Sequence, residues 1–547
     1  MKDLIRRLLP DSIEDIIALV ALFRPGPLQS GAVDDYVDRK HGRAKIEYPH
    51  PLLEPVLKST YGVVLYQEQV MQTAQVLAGF SLGQADLLRR AMGKKKPEEM
   101  AKVREQFLEG SSEREIPIDL ANQIFDSLEK FAGYAFNKSH SATYALISVQ
   151  TAWLKTFYPA HFLAANLSAE MQNTDRILTL VSEARELEIK VLMPSINESD
   201  FHFTVDDGDI RYGLGAIKGL GEAAIEMILE ARSQSPFESL REFCRRVEAK
   251  KLGRRALEAL INSGSMDSFG LESGATNEIR SELHKELEAA IRSAEQIDRD
   301  AKAGMVDLFG GIESGTDLYT GSPTQALSVL ETLEKERESL GLFLSGHPMD
   351  VYSEEICSLC PRPLDRIESG KKRQWIAGVA SNIRFMQSKQ GKPICFFTLS
   401  DSRAFIEASV PPECYEKCAS TIRGGDILLV ECEIQPDRFA NGLVARVQNV
   451  ISIDEYREKF IHSIVIHVNE KCWGAGLVDA LKANLDFEEV MQGRHRLSLL
   501  YDDGVQETTI SLGENWNVDL SDDLLFSLRS AFGQDNVKLN YVNVKSN

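Results

Sequence analysis

Several clusters in this sequence carry the residue types that handle phosphate. Arg89, Arg90, Lys94, Lys95 and Lys96 follow one another with no acid among them. Planar guanidinium forks beside compact ammonium groups suit a triphosphate, whose charge is spread over several oxygens. Asn137-Lys138-Ser139-His140-Ser141 is a second polar cluster, at a predicted helix start. Ser139 and His140 have the types of a nucleophile and its base, but helical neighbours point about 100° apart. The cluster is therefore read as capping plus phosphate contact.

A third device is Ile217-Lys218-Gly219-Leu220-Gly221 ahead of a predicted helix Glu222–Arg232. A hydrophobe-x-Gly-x-Gly turn leaves backbone N–H groups free at a helix N-terminus, where they accept a DNA phosphate without reading bases, and Lys218 adds a point charge. Arg245, Arg246, Lys250, Lys251, Arg254 and Arg255 follow nearby. The alternative is an αα-hairpin using its glycines only to turn. The fourth cluster, Lys371, Lys372, Arg373, Arg384, Lys389 and Lys392, is interleaved with Trp375 and Phe385 and contains no acid. Basic loops with aromatic platforms bind single strands; a buried Trp375 beside an incidental basic loop is the other reading.

Phosphoryl transfer by two metals needs carboxylates on a rigid element holding ions about 4 Å apart. Asp207-Gly208-Asp209 reads as a turn, and the adjacent pairs Asp34-Asp35, Asp502-Asp503 and Asp522-Asp523 diverge. Neither a catalytic residue nor a metal ligand is therefore assigned. Cys357, Cys360, Cys414 and Cys418 have the types for zinc, but their spacing fits no compact ribbon, and reduced buried thiols are expected.

The elements that must position these clusters form several domains. At 547 residues, 43% hydrophobic and 26% charged, the chain is globular in composition and too long for one core. No apolar run is long enough to span a bilayer and no signal sequence is legible, so a soluble cytoplasmic protein is expected. The net charge of −20 argues against nucleic acid as a partner of the whole surface, while the local basic runs allow confined contacts or are merely solvated faces. Residues 1–200 read as helical, with capping boxes at Ser12-x-x-Asp15 and Ser81-x-x-Gln84, a helix ending at Gly93, another opening at Pro97, and a long one over Ser141–Tyr158. Residues 201–300 comprise a hairpin turning at Asp206-Asp207-Gly208, small helices and a charged helix. Residues 301–365 are a linker with short helices. Residues 366–457 switch to alternation, with strands Trp375–Ser381, Ile394–Leu399, Phe405–Val410, Ile427–Ile434 and Leu443–Ile451 and a helix near Pro412–Ser420, the order of an OB-fold barrel. Residues 458–547 form a small α/β unit whose acidic tail suits a protein partner better than DNA. The expected class is multidomain α+β: helical fingers with a helix-hairpin-helix, then an OB-fold β-barrel and a small α/β C-terminal domain.

Longer motifs narrow this further. Phe23-Arg24-Pro25-Gly26-Pro27, Asp38-Arg39-Lys40-His41-Gly42, Tyr61 through Gln69, Leu88 through Lys96 and Phe136 through Ser141 closely resemble the fingers region of the alpha subunit of bacterial DNA polymerase III, the C-family replicative polymerase. The resemblance continues through the hairpin, Leu340 through Pro348, the barrel and the C-terminal unit. It implies a DNA-directed DNA polymerase, a nucleotidyltransferase of chromosome replication. The family's histidinol-phosphatase-like domain, thumb and palm, with three catalytic aspartates, precede the matched region, and Met1 aligns with an internal methionine. The chain is thus expected to be the C-terminal half of such a subunit or a truncated reading frame, with Mg2+ belonging to the complete polymerase.

The resemblance implies that Arg24, Arg89, Arg90, Lys94, Lys95, Lys96, Lys138, Ser139 and His140 hold the incoming dNTP. It implies that Lys218, Gly219 and Gly221 grip primer-template duplex, and that the barrel, with Lys371, Lys372, Arg373, Arg384, Lys389 and Lys392, lies near single-stranded template. The last domain would bind the clamp loader's tau subunit. The sliding clamp would take Asp307, Leu308 and Phe309, although Met305 stands where the family usually has Gln and cannot make its amide contacts. Two other readings stay open: a non-catalytic DNA- and clamp-binding fragment, and a repair nuclease or ligase built from the same modules.

Overall fold

The computed structural model describes residues 1–94, 97–132, 135–270, 275–302, 327–387, 391–436, 442–469, 475–484, 493–502 and 506–541. Lys95, Lys96, Lys389, the clamp motif Asp307-Leu308-Phe309 with Met305, and the predicted Gly/Ser/Thr-rich connector lie outside them, as do the side chains of Lys94 and Lys371. The chain divides into two compact units, Met1–Phe162 and Leu163–Asn547. No helix among the described residues is long and apolar enough to cross a membrane.

The first unit is helical for reasons local to its sequence. Ser12 caps the helix Ile13–Leu22 by accepting from the Asp15 amide. At Ser81 both arms of the box form: the Gln84 side chain accepts from the Ser81 amide at 2.9 Å, and Ser81 Oγ from the Gln84 amide at 3.3 Å. The helix Leu82–Lys94 continues one residue beyond the predicted stop at Gly93, which an isolated glycine near a helix end permits. Pro97 opens the helix Pro97–Glu113. That helix lies almost against Gln67–Ala78, since a Cβ on Gly110 would stand 2.0 Å from the Ala78 carbonyl oxygen. Phe107, fully buried, sits with its ring 6.2 Å from Phe80 and 5.4 Å from Phe125. Emptying that position to Ala costs about 3–5 kcal/mol.

The long helix runs Lys138–Phe157, three residues earlier than predicted, because Asn137 takes the cap by accepting from the His140 amide. Its first turns are fixed by buried Ser141 and Ala145. Beyond them Leu146, Ile147, Trp153, Leu154 and Phe157 are exposed.

In the second unit the strands are β1 Val191–Leu192, β2 Thr204–Asp206, β3 Asp209–Arg211, β4 Gly370–Gln387, β5 Pro393–Ser400, β6 Phe405–Val410, β7 Ile427–Pro436, β8 Leu443–Ser452, β9 Ile461–Asn469, β10 Arg496–Asp502, β11 Glu507–Ser511 and β12 Val537–Tyr541. β2 and β3 form the predicted hairpin. Asp207 and Gly208 both take positive φ, 47° and 90°, as a two-residue turn matching strand twist requires. β4-β5-β6-β8-β7 close into a barrel with the helix Pro412–Cys418 between β6 and β7, the OB topology. β4 is much longer than the predicted Trp375–Ser381. A bulge between Ser381 and Arg384, with Asn382 at φ 50°, lets one bent strand pair with β7 along its first half and continue along β5 in its second. Alternation sorts its faces: Ile376 and Ala380 enter the barrel core, while Ala377 and Val379 face the core shared with the C-terminal sheet β11-β10-β9-β12.

Buried ion pairs bind these parts together. Arg280 and Glu336, 1% and 0% exposed, meet at 2.8 Å, and Arg280 also forks onto Asp267. Arg457 joins Glu355 at 2.6 Å and Asp522 at 2.7 Å, tying the helix that follows the barrel to the helices Pro348–Ile356 and Asp522–Phe532.

Candidate nucleotide and nucleic-acid interface

In the first unit, five sequence-distant segments converge on Phe136 and Gln67. The Gln67 amide donates to the Phe136 carbonyl at 2.9 Å, and Gln67 Oε1 accepts from Arg89 Nη1 at 3.3 Å. The Arg24 guanidinium lies over the Phe136 ring, 4.2 Å from its centre, and burial lowers its pKa from the ordinary arginine value. His140 packs edge-on to the same ring at 5.2 Å. Lys138 Nζ stands 5.5 Å from the Tyr66 ring centre and 3.5 Å from Glu14, while its backbone amide donates to the Glu68 carboxylate at 3.0 Å. Arg24, Arg89, Lys138 and His140 thus share one site.

Arg89 and Arg90 are not free forks. Both reach back to Asp86, at 2.7 and 2.8 Å, and the Arg89 hydrogen bond holds Asp86 below the usual carboxylate range. Their spacing of three and four residues on one helix face carried that signal in the sequence. Ser139 is exposed, and its carbonyl accepts from the Thr143 hydroxyl at 2.9 Å, a helix-interior bond. Gln67, Glu68, Tyr66 and Phe136 were missed as site residues, and only tertiary contact reveals them.

In the second unit the hairpin is built as predicted. Gly219 takes φ 89° and Gly221 is the N-cap of the helix Glu222–Arg232. Its geometry is anchored by one bond that the sequence does not announce: the Lys218 amide donates to the Ser339 carbonyl at 2.8 Å. The amides of Gly219, Gly221 and Glu222 have no acceptor among the described residues and stand at an exposed surface. Arg255 lies beside the turn, its Nε 3.9 Å from where a Gly219 Cβ would be. Arg246, by contrast, is structural, bonded to Glu242 and to the Ala231, Ser235 and Pro236 carbonyls.

On the barrel the basic run is divided. Lys372 and Arg373 stand near the start of β4, and Arg384 and Lys392 at its far end and in the turn beyond. Arg384 pairs with Glu407 at 2.9 Å. Trp375 is half-buried against the core shared with the C-terminal sheet, on the face of Ala377 and Val379, so it is no stacking platform. Phe385 is the exposed aromatic of this strand, 5.6 Å from Tyr415.

No three His, Cys, Asp or Glu side chains converge as a metal site among the described residues. They therefore do not fit a resident catalytic metal pair. Cys395, Cys418 and Cys432 are buried in the barrel core, where desolvation raises their pKa values.

Comparison with known proteins fits this geometry. Residues 1–115 match the bacterial DNA polymerase III alpha subunit finger domain, 188–275 a helix-hairpin-helix motif, and 374–457 an OB-fold nucleic acid binding domain. The DNA polymerase III subunit alpha of Pseudomonas aeruginosa is 46% identical over 99% of this chain and 47% of its own length. That of Escherichia coli K12 is 44% identical over the same shares. Over nearly its whole length the chain is similar to bacterial DNA polymerase III alpha subunits. It spans about half the length of the relatives it matches. The finger-domain match contains Arg24, Gln67, Arg89 and Arg90. It ends before Phe136 and His140, which complete the same cluster by packing.

Proposed function

We propose that this chain forms the nucleotide-holding and DNA-gripping part of a replicative DNA-directed DNA polymerase, with the catalytic carboxylates supplied by polypeptide outside these 547 residues. The observation that carries this reading is the gathering of Arg24, Arg89, Lys138 and His140 around Phe136 and Gln67. An incoming dNTP brings a triphosphate to this site. Arg24, held in place by the Phe136 ring, and Lys138, steered by Glu14, offer charge to its phosphates. Arg89 and Arg90 exchange Asp86 for a phosphate oxygen as the nucleotide enters, and Lys94, Lys95 and Lys96 are assigned to the same triphosphate. Ser139 and His140 offer a hydroxyl and a ring N–H at the cluster's rim. Mg2+ bound to the complete enzyme would supply charge neutralisation, and the residues described here orient the substrate.

The hairpin amides, with Lys218 and Arg255, hold backbone phosphates of primer-template duplex, a contact blind to sequence. Phe385 with Arg384 and Lys392 serves single-stranded template at the barrel. Docking to the sliding clamp through Asp307-Leu308-Phe309 and to the clamp loader's tau subunit through the C-terminal unit completes the assignment, and the cytoplasm is its location.

The helix Lys138–Phe157 supports a role shared with further polypeptide. Between Ser141 and Tyr158 its only charged residue is Lys155, yet Trp153 and Phe157 are 50% and 62% exposed. Exposed large apolar side chains gathered on one helix mark an interaction surface. Its N-terminal end is the nucleotide cluster, so whatever covers it stands beside the incoming dNTP.

The test is steady-state kinetics of this chain reconstituted with the remaining part of a family polymerase. Arg24→Ala and Lys138→Ala each raise the KM for dNTP about tenfold, a loss of one charge-assisted contact, and leave primer-template affinity unchanged. An unaltered dNTP KM in both contradicts the assignment.

A further inference from the structure

The helix Thr174–Glu186, the segment from Gly341 to His347 and the end of the barrel where β5 turns into β6 enclose a cleft of about 230 Å3 that opens to solvent. It lies wholly within the second unit. Its floor is apolar, with Leu178, Val181 and Leu342, and Phe405, 55% exposed, stands at its mouth.

The polar lining includes three arginines, Arg185, Arg337 and Arg403. Arg337 is half-buried over the Phe343 ring, 5.9 Å from its centre. Its Nε is buried without a hydrogen-bond partner, and its guanidinium forms no ion pair with any described residue. Leaving a charged donor buried and unpaired is costly, and native structures rarely do so without a ligand or water. Arg185, on the facing helix, likewise has no carboxylate partner among the described residues. Among the described residues, the Arg403 guanidinium reaches only Asp365, at 4.0 Å.

The acids of the cleft do not answer these cations. Asp401 accepts from the backbone amides of Leu364, Arg403 and Ala404, at 2.7, 2.8 and 2.7 Å, and is consumed in holding the turn. Asp175 is in the first turn of its helix, where the helix dipole favours it. The β4 bulge sits at the cleft wall and turns exposed Asn382 outward at φ 50°, adding an amide to the rim. Guanidinium forks around an apolar floor, with an aromatic ring at the opening, match a phosphate attached to a flat ring.

We propose that this cleft binds the phosphate of a nucleotide unit, with Arg337, Arg185 and Arg403 as its cations. The phosphate comes from single-stranded DNA or from a free nucleotide. The proposal does not depend on the polymerase reading, and its failure leaves that reading standing.

The experiment uses the whole chain, a fluorescein-labelled dT oligonucleotide followed by anisotropy across a salt series, and dTMP followed by calorimetry. Arg337→Met and the surface double variant Arg185→Ala/Arg403→Ala are compared with Arg176→Ala, an exposed cation of the same helix outside the cleft. Each cleft variant weakens binding about tenfold and flattens the salt slope by about one per cation removed. A loss confined to the oligonucleotide assigns the phosphate to a DNA strand, and a loss of dTMP binding assigns it to a free nucleotide. The proposal is overturned if the double variant binds both probes as the parent does, or if Arg176→Ala loses as much. Should Arg337→Met fail to fold, the double variant still decides.

Discussion

Replacing Glu336 by Ala probes the joint between the hairpin and the segment that follows it. Glu336 is fully buried and takes 2.8 Å from Arg280 Nη1, 2.6 and 2.9 Å from the Leu344 and Ser345 amides, and a further bond from the Ser345 hydroxyl. Breaking a buried pair by removing one partner costs about 3–5 kcal/mol. Arg280 keeps Asp267 at 2.9 Å and the Asn262 carbonyl, so the low end applies. A loss of about 3 kcal/mol corresponds to roughly a hundredfold greater opening. Because the chain has more than one unit, a single global unfolding energy is the wrong observable. Native-state hydrogen exchange at Leu344 and Ser345 reads the local change, which is expected to be roughly a hundredfold faster there. Lys218 depends on the same helix through the Ser339 carbonyl, so the variant also weakens duplex DNA binding. Exchange accelerated less than about threefold, under 1 kcal/mol, would refute the claim that this carboxylate organises the loop.

Other perturbations read other parts of the account. Lys218→Ala should flatten the salt dependence of duplex DNA affinity by about one unit of slope; an unchanged slope removes Lys218 from the interface. Gly110→Ala pushes a methyl into the Ala78 carbonyl and should destabilise the first unit by about 1–3 kcal/mol, seen as a lower denaturation midpoint, whereas an unchanged midpoint contradicts the close helix approach. Burial lowers the His347 pKa despite Asp350 and Asp401, and its Nδ1 accepts from the Met349 amide, so the neutral ring caps its helix. A depressed pKa gives stability present above the unfolded value, about 6.5, and lost as pH falls from there through the lower folded value. Thermal melts should therefore drop on acidification, and His347→Gln should lessen that drop; identical pH profiles would contradict it.

Much of the fold was legible because its signals are local. The barrel follows from alternation along half-buried strands, and the hairpin turn at Asp207-Gly208 from a dipeptide that tolerates two positive φ values. The bulge at Asn382 was not legible, since no pattern in β4 marks where the strand changes partners, and so its length was underestimated. Trp375 was ambiguous because a lone aromatic in an alternating strand looks the same whichever core it faces; here the second core belongs to the C-terminal sheet. The site was legible as residue types and not as a constellation. Arg24, Gln67, Arg89 and Phe136 meet through tertiary packing that spacing cannot encode. The claim of Asp86 on Arg89 and Arg90 was readable from helix spacing and tempers the picture of unpaired forks.

The most direct test of the central claim is primer extension by the purified chain, with Mg2+ and all four dNTPs, alone and after mixing with the portion of a family polymerase that it does not match. The account predicts no incorporation alone and templated synthesis on mixing. Metal-dependent synthesis by this chain alone would contradict it.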